Sequence, residues 1–344
     1  MKKIKFAVVG CGHIGKRHAK LVAENPNAEL TALVDIKDPK QVAPEAFSVP
    51  FYSSLDEFLQ SDAYTDVVNI ATPNGLHAEQ AIACLKNGKH VVIEKPMALH
   101  KADAEDIIHT ALQQHKHVFV VMQNRYSPPA KWIKELVDSG KLGKIFFVQL
   151  NCFWNRDERY YLRSEKTWHG TKGMDGGTLF TQFSHFIDIF YWLFGDIKNI
   201  QTTLRSFNHK QLTEFEDSGI STFEFGKDSI GCLNFSTSVW DTNMESSITI
   251  VAENGSIKIG GQYMNEIEYC HIKDYVTPQL EPVQSNDYGT YKGSAANHEF
   301  VIQNVVDVLN HNAPITTNAM EGLKVVDMIE RIYKSAAGIS IVNH

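Results

Sequence analysis

The first part of the chain alternates short apolar runs with longer amphipathic segments. Apolar runs of five or six residues, a length typical of strands buried on both faces, occur at 4–9, 30–35, 66–71, 90–94 and 117–122. Segments with helical periodicity separate them, at about 14–24, 55–60, 76–87 and 101–114. This alternation predicts an α/β domain over 1–124, built on a doubly wound parallel sheet.

After Pro128-Pro129 the pattern changes to strands whose side chains alternate between apolar and polar. Strands are predicted at 145–154, 197–207, 216–225, 229–240, 245–252 and 255–260, and helices at 129–139, 177–194, 296–310 and 319–336. The polar stretch 274–294 is predicted to be a long loop near the site or at a subunit contact. We expect a second, α+β domain over 125–344 with an open, mostly antiparallel sheet, and terminal helices that pack back on the first domain.

Three glycines follow the first apolar run, in the order Gly10-Cys11-Gly12-His13-Ile14-Gly15. The first permits a tight turn, the second lets the backbone approach a pyrophosphate, and the third lets the next helix pack closely. Asp35 ends the second strand, where it can accept both ribose hydroxyls of an adenosine and would repel a 2′-phosphate. The motif predicts an NAD site, although Lys37 and Lys40 leave NADP open. A glycine-rich turn of another α/β protein is the alternative.

Composition and charge narrow the class of protein. The 344 residues suit two domains, and 43% hydrophobic with 21% charged residues is typical of globular proteins. The net charge of −7 argues against nucleic acid and anionic membranes as partners, and no apolar run reaches the ~18 residues of a membrane-spanning helix. The five cysteines are dispersed and form no CxxC pair. They favour a reducing compartment, the cytoplasm, and neither a disulfide framework nor a metal site.

Each predicted strand of the first domain ends in small or polar residues. These are Gly10, Asp35, Thr72-Pro73-Asn74, Glu94-Lys95-Pro96 and Gln123-Asn124-Arg125. The carboxyl ends of parallel strands line the ligand crevice of an open sheet, so these residues are expected to surround one ligand. Pro96 holds Lys95 in extended backbone, where its ammonium could stabilise a developing alkoxide. A solvated surface lysine is the alternative.

A second group of candidate residues lies on the predicted helix 177–194. Thr181, His185 and Asp188 recur at i, i+4 and i+7 and therefore share a face. His185 can take a proton near neutral pH, and Asp188 is placed to orient it. A histidine satisfied within an aromatic helix core is the alternative. Arginines and aromatic residues interleave over 153–171, which suits a ringed, anionic ligand or, alternatively, a tethering loop.

These motifs together resemble the Gfo/Idh/MocA family of NAD(P)-dependent sugar oxidoreductases, over essentially the whole chain. The motifs are GCGHIG (10–15), Asp35, TPNGLH (72–77), EKP (94–96) and GG…H..D (176–188). The resemblance implies a Rossmann domain followed by a domain with an open antiparallel sheet. It also implies that Lys95 and His185 are a catalytic pair flanking C4 of the nicotinamide, with Trp168 near the cofactor.

Longer runs are similar to the UDP-N-acetylglucosaminuronate 3-dehydrogenases. They are VFVVMQNR (118–125), NCFWNRDERYY (151–161), DGGTLFTQFSHFID (175–188) and ESSITIVAENGSIKIGGQYMNEI (245–267). This likeness implies oxidation of the C3 hydroxyl of a UDP-linked sugar in the supply of bacterial surface polysaccharides. Many family members place an aspartate four residues before the histidine. Thr181 stands there in this chain, as the subgroup implies, and it cannot serve as a carboxylate base.

The motifs and the resemblance together predict the residues of the site. Cofactor contacts are expected from Gly10, Gly12, His13, Ile14, Gly15, Asp35, Ile36, Thr72, Pro73, Asn74, His77, Glu94, Lys95, Gln123 and Trp168. Substrate contacts are expected from Lys95, Arg125, Arg156, Tyr160, Tyr161, Thr181, Gln182, Ser184 and His185. The alternatives are a dehydrogenase of another sugar or an inositol, an NAD-dependent glycoside hydrolase, and a nucleotide-sensing regulator. The broad open sheet predicts a homodimer or homotetramer.

Overall fold

The computed structural model describes residues 2–42, 47–162, 168–281, 285–287 and 292–337. The chain divides into two compact units. The first runs to residue 122 and takes in 297–326, and the second covers 123–296 and resumes at 327. Two parts of the predicted loop 274–294, at 282–284 and 288–291, lie outside the described residues.

The first unit alternates strands and helices along the chain. Its elements are β1 (Ile4–Val9), α1 (His13–Glu24), β2 (Ala28–Val34), α2 (Pro39–Val42), β3 (Phe51–Tyr52), α3 (Leu55–Gln60), β4 (Val67–Ile70), α4 (His77–Lys86), β5 (His90–Ile93), α5 (Lys101–Gln113) and β6 (Val118–Val120). The strands pair in parallel in the order β3-β2-β1-β4-β5-β6. This is the strand order of the doubly wound dinucleotide-binding fold, so the predicted class of the first domain is confirmed.

The turn between β1 and α1 requires glycine at two positions. Gly10 has a φ of +88°, and a Cβ there would lie 2.7 Å from the carbonyl oxygen of Ala71, the residue after β4. A Cβ at Gly15 would overlap the carbonyl of Gly10. The backbone of α1 therefore packs directly against the end of β1, and the helix begins at His13 with its N-terminal amides at this turn.

The second unit is built on a seven-stranded sheet. Its elements are α6 (Pro128–Asp138), β7 (Ile145–Phe153), α7 (Glu158–Tyr161), α8 (Lys172–Asp175), α9 (Ser184–Phe194), β8 (Ile197–Arg205), β9 (Ser218–Phe225), β10 (Ser229–Ser236), β11 (Glu245–Ala252), β12 (Gly255–Gly260), β13 (Glu266–Ile272), β14 (Ser285–Asp287) and β15 (Lys292–Ala295). The order is β13-β12-β11-β7-β10-β9-β8, and only the β7–β10 pair is parallel within it. The predicted open, mostly antiparallel sheet is confirmed.

Two long helices follow, α10 (His298–His311) and α11 (Ala319–Ala337). Helix α10 belongs to the first unit, whereas α11 begins in the first unit and ends in the second. No helix in the described ranges has both the length and the apolar content to cross a membrane.

The sequence prediction was wrong about several local elements. The predicted helix 177–194 opens with a π-helix, Leu179–Phe183, and becomes α-helical only at Ser184. Strand β13 was not predicted, and the predicted loop 274–294 contains β14 and the start of β15. The π-helix is the consequential difference, because it changes which side chains share a face with His185.

Candidate active site

The glycine turn and Asp35 form one side of the site in the first unit. A Cβ at Gly12 would meet no described atom within 4 Å, so the space above its backbone is open to a phosphate. Asp35 binds the turn, since its Oδ2 accepts the backbone N–H of Cys11 at 2.6 Å. Its Oδ1 accepts the N–H of Lys37 at 2.9 Å. The carboxylate is thereby fixed, and its remaining lone pairs fit ribose hydroxyls. Ile36 beside it is 89% exposed and offers an apolar surface.

The segment after β4 forms a second loop of the same unit. The Thr72 hydroxyl donates to Oε1 of Gln80 at 2.6 Å, and Asn74 is buried. His77 is fully buried, with Nδ1 2.7 Å from the carbonyl oxygen of Pro96 and Nε2 2.9 Å from that of Thr72. Burial lowers the pKa of His77, against the two carbonyls, which raise it. Its ring thus braces the loop against the segment that carries Lys95, and its contact with cofactor stays a prediction.

Lys95 follows β5 at the carboxyl edge of the parallel sheet, as the sequence predicted. Its side chain is half-buried, and the Lys95–Pro96 peptide bond is cis. The N–H of Lys95 donates to Oε2 of Glu94 at 3.2 Å. Glu94 is itself buried and accepts a hydrogen bond from His18. The backbone that presents the Lys95 ammonium is therefore held by a buried carboxylate.

His185 lies in the first turn of α9 in the second unit and is 2% exposed. Its Nε2 lies 3.2 Å from the amide nitrogen of Gln123. With that amide as donor, Nε2 is the unprotonated ring nitrogen that a general base requires, and its lone pair accepts the amide N–H. Thr181 is also buried, but it lies in the π-helix before α9. Because Lys95 belongs to the first unit and His185 to the second, their pairing stays a prediction.

Asp188 and Arg125 form a buried ion pair in the second unit. The guanidinium donates to both carboxylate oxygens, at 2.8 and 2.5 Å, and both side chains are 1% exposed. The guanidinium carbon also lies 5.4 Å from the centre of the Trp192 ring. Asp188 thus anchors Arg125, and the predicted orientation of His185 by Asp188 and contact of Arg125 with substrate stay predictions.

Arg156, Tyr160 and Gln182, which the sequence placed at the substrate, meet in the second unit. Nε of Arg156 donates to Oε1 of Gln182 at 2.7 Å, and the Gln182 amide donates to the Tyr160 hydroxyl at 2.9 Å. A further donor of Arg156 bonds Oδ1 of Asn243 at 3.1 Å, and its guanidinium lies over the Trp154 ring at 4.7 Å. These contacts fix a positive charge and two amides in one cluster. Asn243 belongs to it and was not predicted, and Trp154 lies in the predicted aromatic segment 153–171 but was not among the predicted contacts.

Three more predicted residues, Trp168, Tyr161 and Ser184, lie in the same unit. The Tyr160 ring is 4.8 Å from that of His169, which in turn is 3.9 Å from that of Trp168. Tyr161 is fully buried, and burial raises the pKa of its hydroxyl well above its ordinary value. Ser184 is buried at the start of α9. Tyr160, Tyr161, Trp168 and His169 thus form a packed group of rings, in which Trp168 remains partly exposed.

Comparisons with known proteins agree with this architecture. The family model of the Gfo/Idh/MocA oxidoreductases, NAD-binding Rossmann fold, matches residues 4–122, and the model of the Gfo/Idh/MocA C-terminal domain matches residues 130–258. The chain is 30% identical to the WlbA dehydrogenase of Bordetella pertussis, solved with NADH and UDP-GlcNAcA, with a TM-score of 0.87 and 98% of each chain covered.

Two further relatives show the range of the family. The WlbA dehydrogenase of Chromobacterium violaceum, solved with the same two ligands, is 31% identical with a TM-score of 0.86, over 98% of this chain and 95% of that one. The 2,7-anhydro-N-acetylneuraminate hydratase of Escherichia coli is 28% identical over 75% of this chain and 68% of its own length. The chain belongs to the Gfo/Idh/MocA oxidoreductase family, and its N-terminal domain is an NAD-binding Rossmann domain.

Proposed function

We propose that this protein oxidises the C3 hydroxyl of UDP-N-acetylglucosaminuronate with NAD. The observation that carries the proposal is its likeness, at 30–31% identity over 98% of the chain, to two dehydrogenases solved with NADH and UDP-GlcNAcA. The open backbone above Gly12 and the fixed Asp35 carboxylate support NAD as the cofactor. The five free cysteines support a reducing, cytoplasmic setting.

His185 is the proposed base. The C3 hydroxyl of bound substrate replaces the Gln123 amide at Nε2, and the freed lone pair takes the hydroxyl proton as the hydride leaves the same carbon. The ring is 2% exposed, which limits its contact with bulk water, and before substrate binds the Gln123 amide holds its orientation from 3.2 Å. Bound NAD supplies the hydride acceptor. Thr181 is proposed to bind substrate through its hydroxyl, because it has no carboxylate to share the proton.

Lys95 is the proposed electrostatic partner. Its ammonium donates to the C3 oxygen and stabilises the negative charge that develops there as the proton leaves. The fixed backbone at Glu94 and the half-buried position support this role, because a positioned charge in a poorly solvated site acts more strongly than a mobile one in water.

The cluster of Arg156, Tyr160 and Gln182 is proposed to recognise the charged sugar. The substrate carries a uronate carboxylate and a diphosphate, and a guanidinium offers several donors in a fixed plane to such groups. The stacking of Arg156 on Trp154 and its bond to Gln182 support the proposal, because a donor that is already ordered loses little entropy on binding.

The test is turnover of purified variants, followed as NADH absorbance at 340 nm with UDP-N-acetylglucosaminuronate. Lys95→Ala and His185→Ala are each expected to lose at least a thousandfold in kcat while their dissociation constants for NAD stay within threefold of wild type. Lys86→Ala and His109→Ala, exposed residues on α4 and α5, are the matched controls and are expected to turn over like wild type. Full activity in both site variants would contradict the assigned roles.

A redox-neutral reaction is the second candidate, favoured by the likeness to a hydratase. Such an enzyme, like an NAD-dependent glycoside hydrolase, would oxidise its substrate transiently and return the hydride. It would convert substrate with no net NADH. Product without NADH accumulation would select this candidate, whereas NADH formed only from an inositol or a free sugar would select another dehydrogenase substrate.

A further inference from the structure

Three polar side chains from distant parts of the sequence meet within the first unit. His18 comes from α1, Glu94 follows β5, and His298 begins α10; their exposed fractions are 1%, 8% and 1%. Nε2 of His18 lies 2.8 Å from Oε1 of Glu94, and Nε2 of His298 lies 3.6 Å from the same oxygen. The buried carboxylate of Glu94 thus lies between two buried imidazoles, and Lys95 is the next residue along the chain.

The set has the composition of a metal site, but its spacing is that of a hydrogen bond. Two ligands of one tetrahedral zinc, each ~2.0–2.1 Å from the ion, lie roughly 3.3 Å apart. The 2.8 Å between His18 and Glu94 is shorter and is the length of a charge-assisted hydrogen bond. The Asn69 amide nitrogen, 3.0 Å from Nδ1 of His18, agrees, because donation to Nδ1 leaves Nε2 to carry the proton toward Glu94.

The hydrogen bonds around the carboxyl group keep it ionised. Burial alone would raise the pKa of Glu94, but the hydrogen bonds from His18 and His298 outweigh it and hold that pKa well below its ordinary value. Burial lowers the pKa of His298, while its hydrogen bond to Glu94 raises it. An ionised carboxylate has two accepting oxygens, and here they have different partners.

The second oxygen of Glu94 connects the cluster to the proposed chemistry. Oε2 accepts the backbone N–H of Lys95 at 3.2 Å, while Oε1 faces the histidines. We propose that Glu94, held by His18 and His298, is a positioning residue that fixes the backbone of Lys95 and so aims its ammonium. The catalytic part of this inference rests on the proposed role of Lys95. The cluster also ties the helix after the glycine turn to the strand end that carries the lysine.

We call the hold of Glu94, with His18 and His298, on the Lys95 backbone the clamp. Amide hydrogen exchange tests it without any substrate. In Glu94→Gln the single carbonyl oxygen of the new side chain cannot serve both His18 and the Lys95 N–H, so the Lys95 amide is expected to exchange at least tenfold faster. The amides of Glu94 and Val121, bonded to the carbonyls of Ile70 and Ile93, are internal references and should keep their rates. An unchanged rate at Lys95 would overturn the clamp.

His298→Gln keeps the clamp testable if Glu94→Gln does not fold. It removes the weaker of the two contacts, and a smaller acceleration, of about threefold, is expected at the Lys95 amide alone. Glu79→Gln, an exposed residue of α4, is the matched control and should change neither rate nor turnover. No acceleration in His298→Gln would remove His298 from the clamp.

Measuring the turnover of Glu94→Gln in parallel with that of Lys95→Ala separates this inference from the proposed function. If Lys95→Ala is inactive, Glu94→Gln is expected to lose 30-fold or more in kcat with less than a threefold change in NAD affinity, and combining Glu94→Gln with His298→Gln should lose no more. A wild-type kcat in Glu94→Gln would overturn the positioning role. If Lys95→Ala is fully active, the proposed function fails, and exchange at Lys95 still decides the clamp.

Discussion

At the scale of single residues, we propose that Asp35 sets the preference of the chain for NAD over NADP. Both of its oxygens are anchored by backbone amides, so its charge lies fixed at the end of β2. Asp35→Ser is expected to weaken NAD binding at least tenfold and to move the ratio of kcat/KM for NAD and NADP tenfold or more toward NADP, because the repulsion of a 2′-phosphate is lost. Steady-state kinetics with both cofactors measure this. Asp38→Ser is the matched control, and an unshifted ratio would contradict the role of Asp35.

Glu216 is a second residue with a measurable signature. Burial raises its pKa to about 7, although the Tyr333 hydroxyl, at 2.7 Å, and the Thr178 amide, at 3.2 Å, donate to it. The folded protein therefore keeps a proton between pH 4.5 and 7 that the unfolded chain releases. The contribution of this group to folding stability falls as the pH rises through that window.

Glu216→Gln imitates the protonated carboxyl and should remove this pH dependence. We expect the variant to match wild type at pH 5 and to be more stable at pH 8, by on the order of 2 kcal/mol. Urea unfolding at the two pH values measures the difference. Glu135→Gln, exposed on α6, should behave as wild type at both. Equal stability of Glu216→Gln and wild type at pH 8 would mean that Glu216 is ionised without cost.

At the scale of elements, the entry to the His185 helix depends on Gly177. Its φ is +126°, and a Cβ there would overlap the Tyr333 hydroxyl, which also accepts the N–H of Leu179 at 3.0 Å. Gly177→Ala is expected to lose about 2–4 kcal/mol of stability from backbone strain and displacement of that hydroxyl. Urea unfolding tests it against Gly173→Ala, where the space is open and the φ ordinary. Equal unfolding midpoints in the two variants would contradict this account.

The sequence predicted elements and site residues wherever their signal is local. The candidate site residues of the first unit directly follow the strands that position them, namely the turn glycines, Asp35 and Lys95. The apolar runs predicted the strands, and the small or polar residues after each run marked these positions. Strand β3 has only two residues, and β13 is half-exposed along most of its length, so neither has a strong pattern. The π-helix depends on packing around α9 rather than on local propensity. His298 and Tyr333 lie more than a hundred residues from their partners, and no local signal could pair them.

At the scale of the whole molecule, the seven-stranded sheet has one face that its own unit leaves open. Apolar side chains of adjacent strands lie on it, with Ile220 57% and Ile230 55% exposed. Side-chain amides on its central strands hydrogen-bond to one another: Asn234 on β10 donates to Asn151 on β7 at 2.9 Å. We propose that a second copy of the chain covers this face.

Light scattering after size exclusion tests the assembly. The wild type is expected to have the mass of a dimer or tetramer at micromolar concentration. Ile230→Lys is expected to give a smaller species, because it places a charge in the covered face. Leu112→Lys, whose position on α5 is 71% exposed and outside the sheet, is the matched control. A wild type with the mass of one chain would contradict the proposal.

The central claim is that the protein oxidises C3 of the sugar, and the most direct test identifies the carbon that becomes a ketone. The enzyme would be mixed with UDP-N-acetylglucosaminuronate and NAD, the products reduced with borodeuteride, and the sugar examined by mass spectrometry and NMR. A 3-keto product incorporates one deuterium at C3, in proportion to the NADH formed at 340 nm, and this is the expected result. Deuterium at another carbon, or none with substrate unchanged, would contradict the claim.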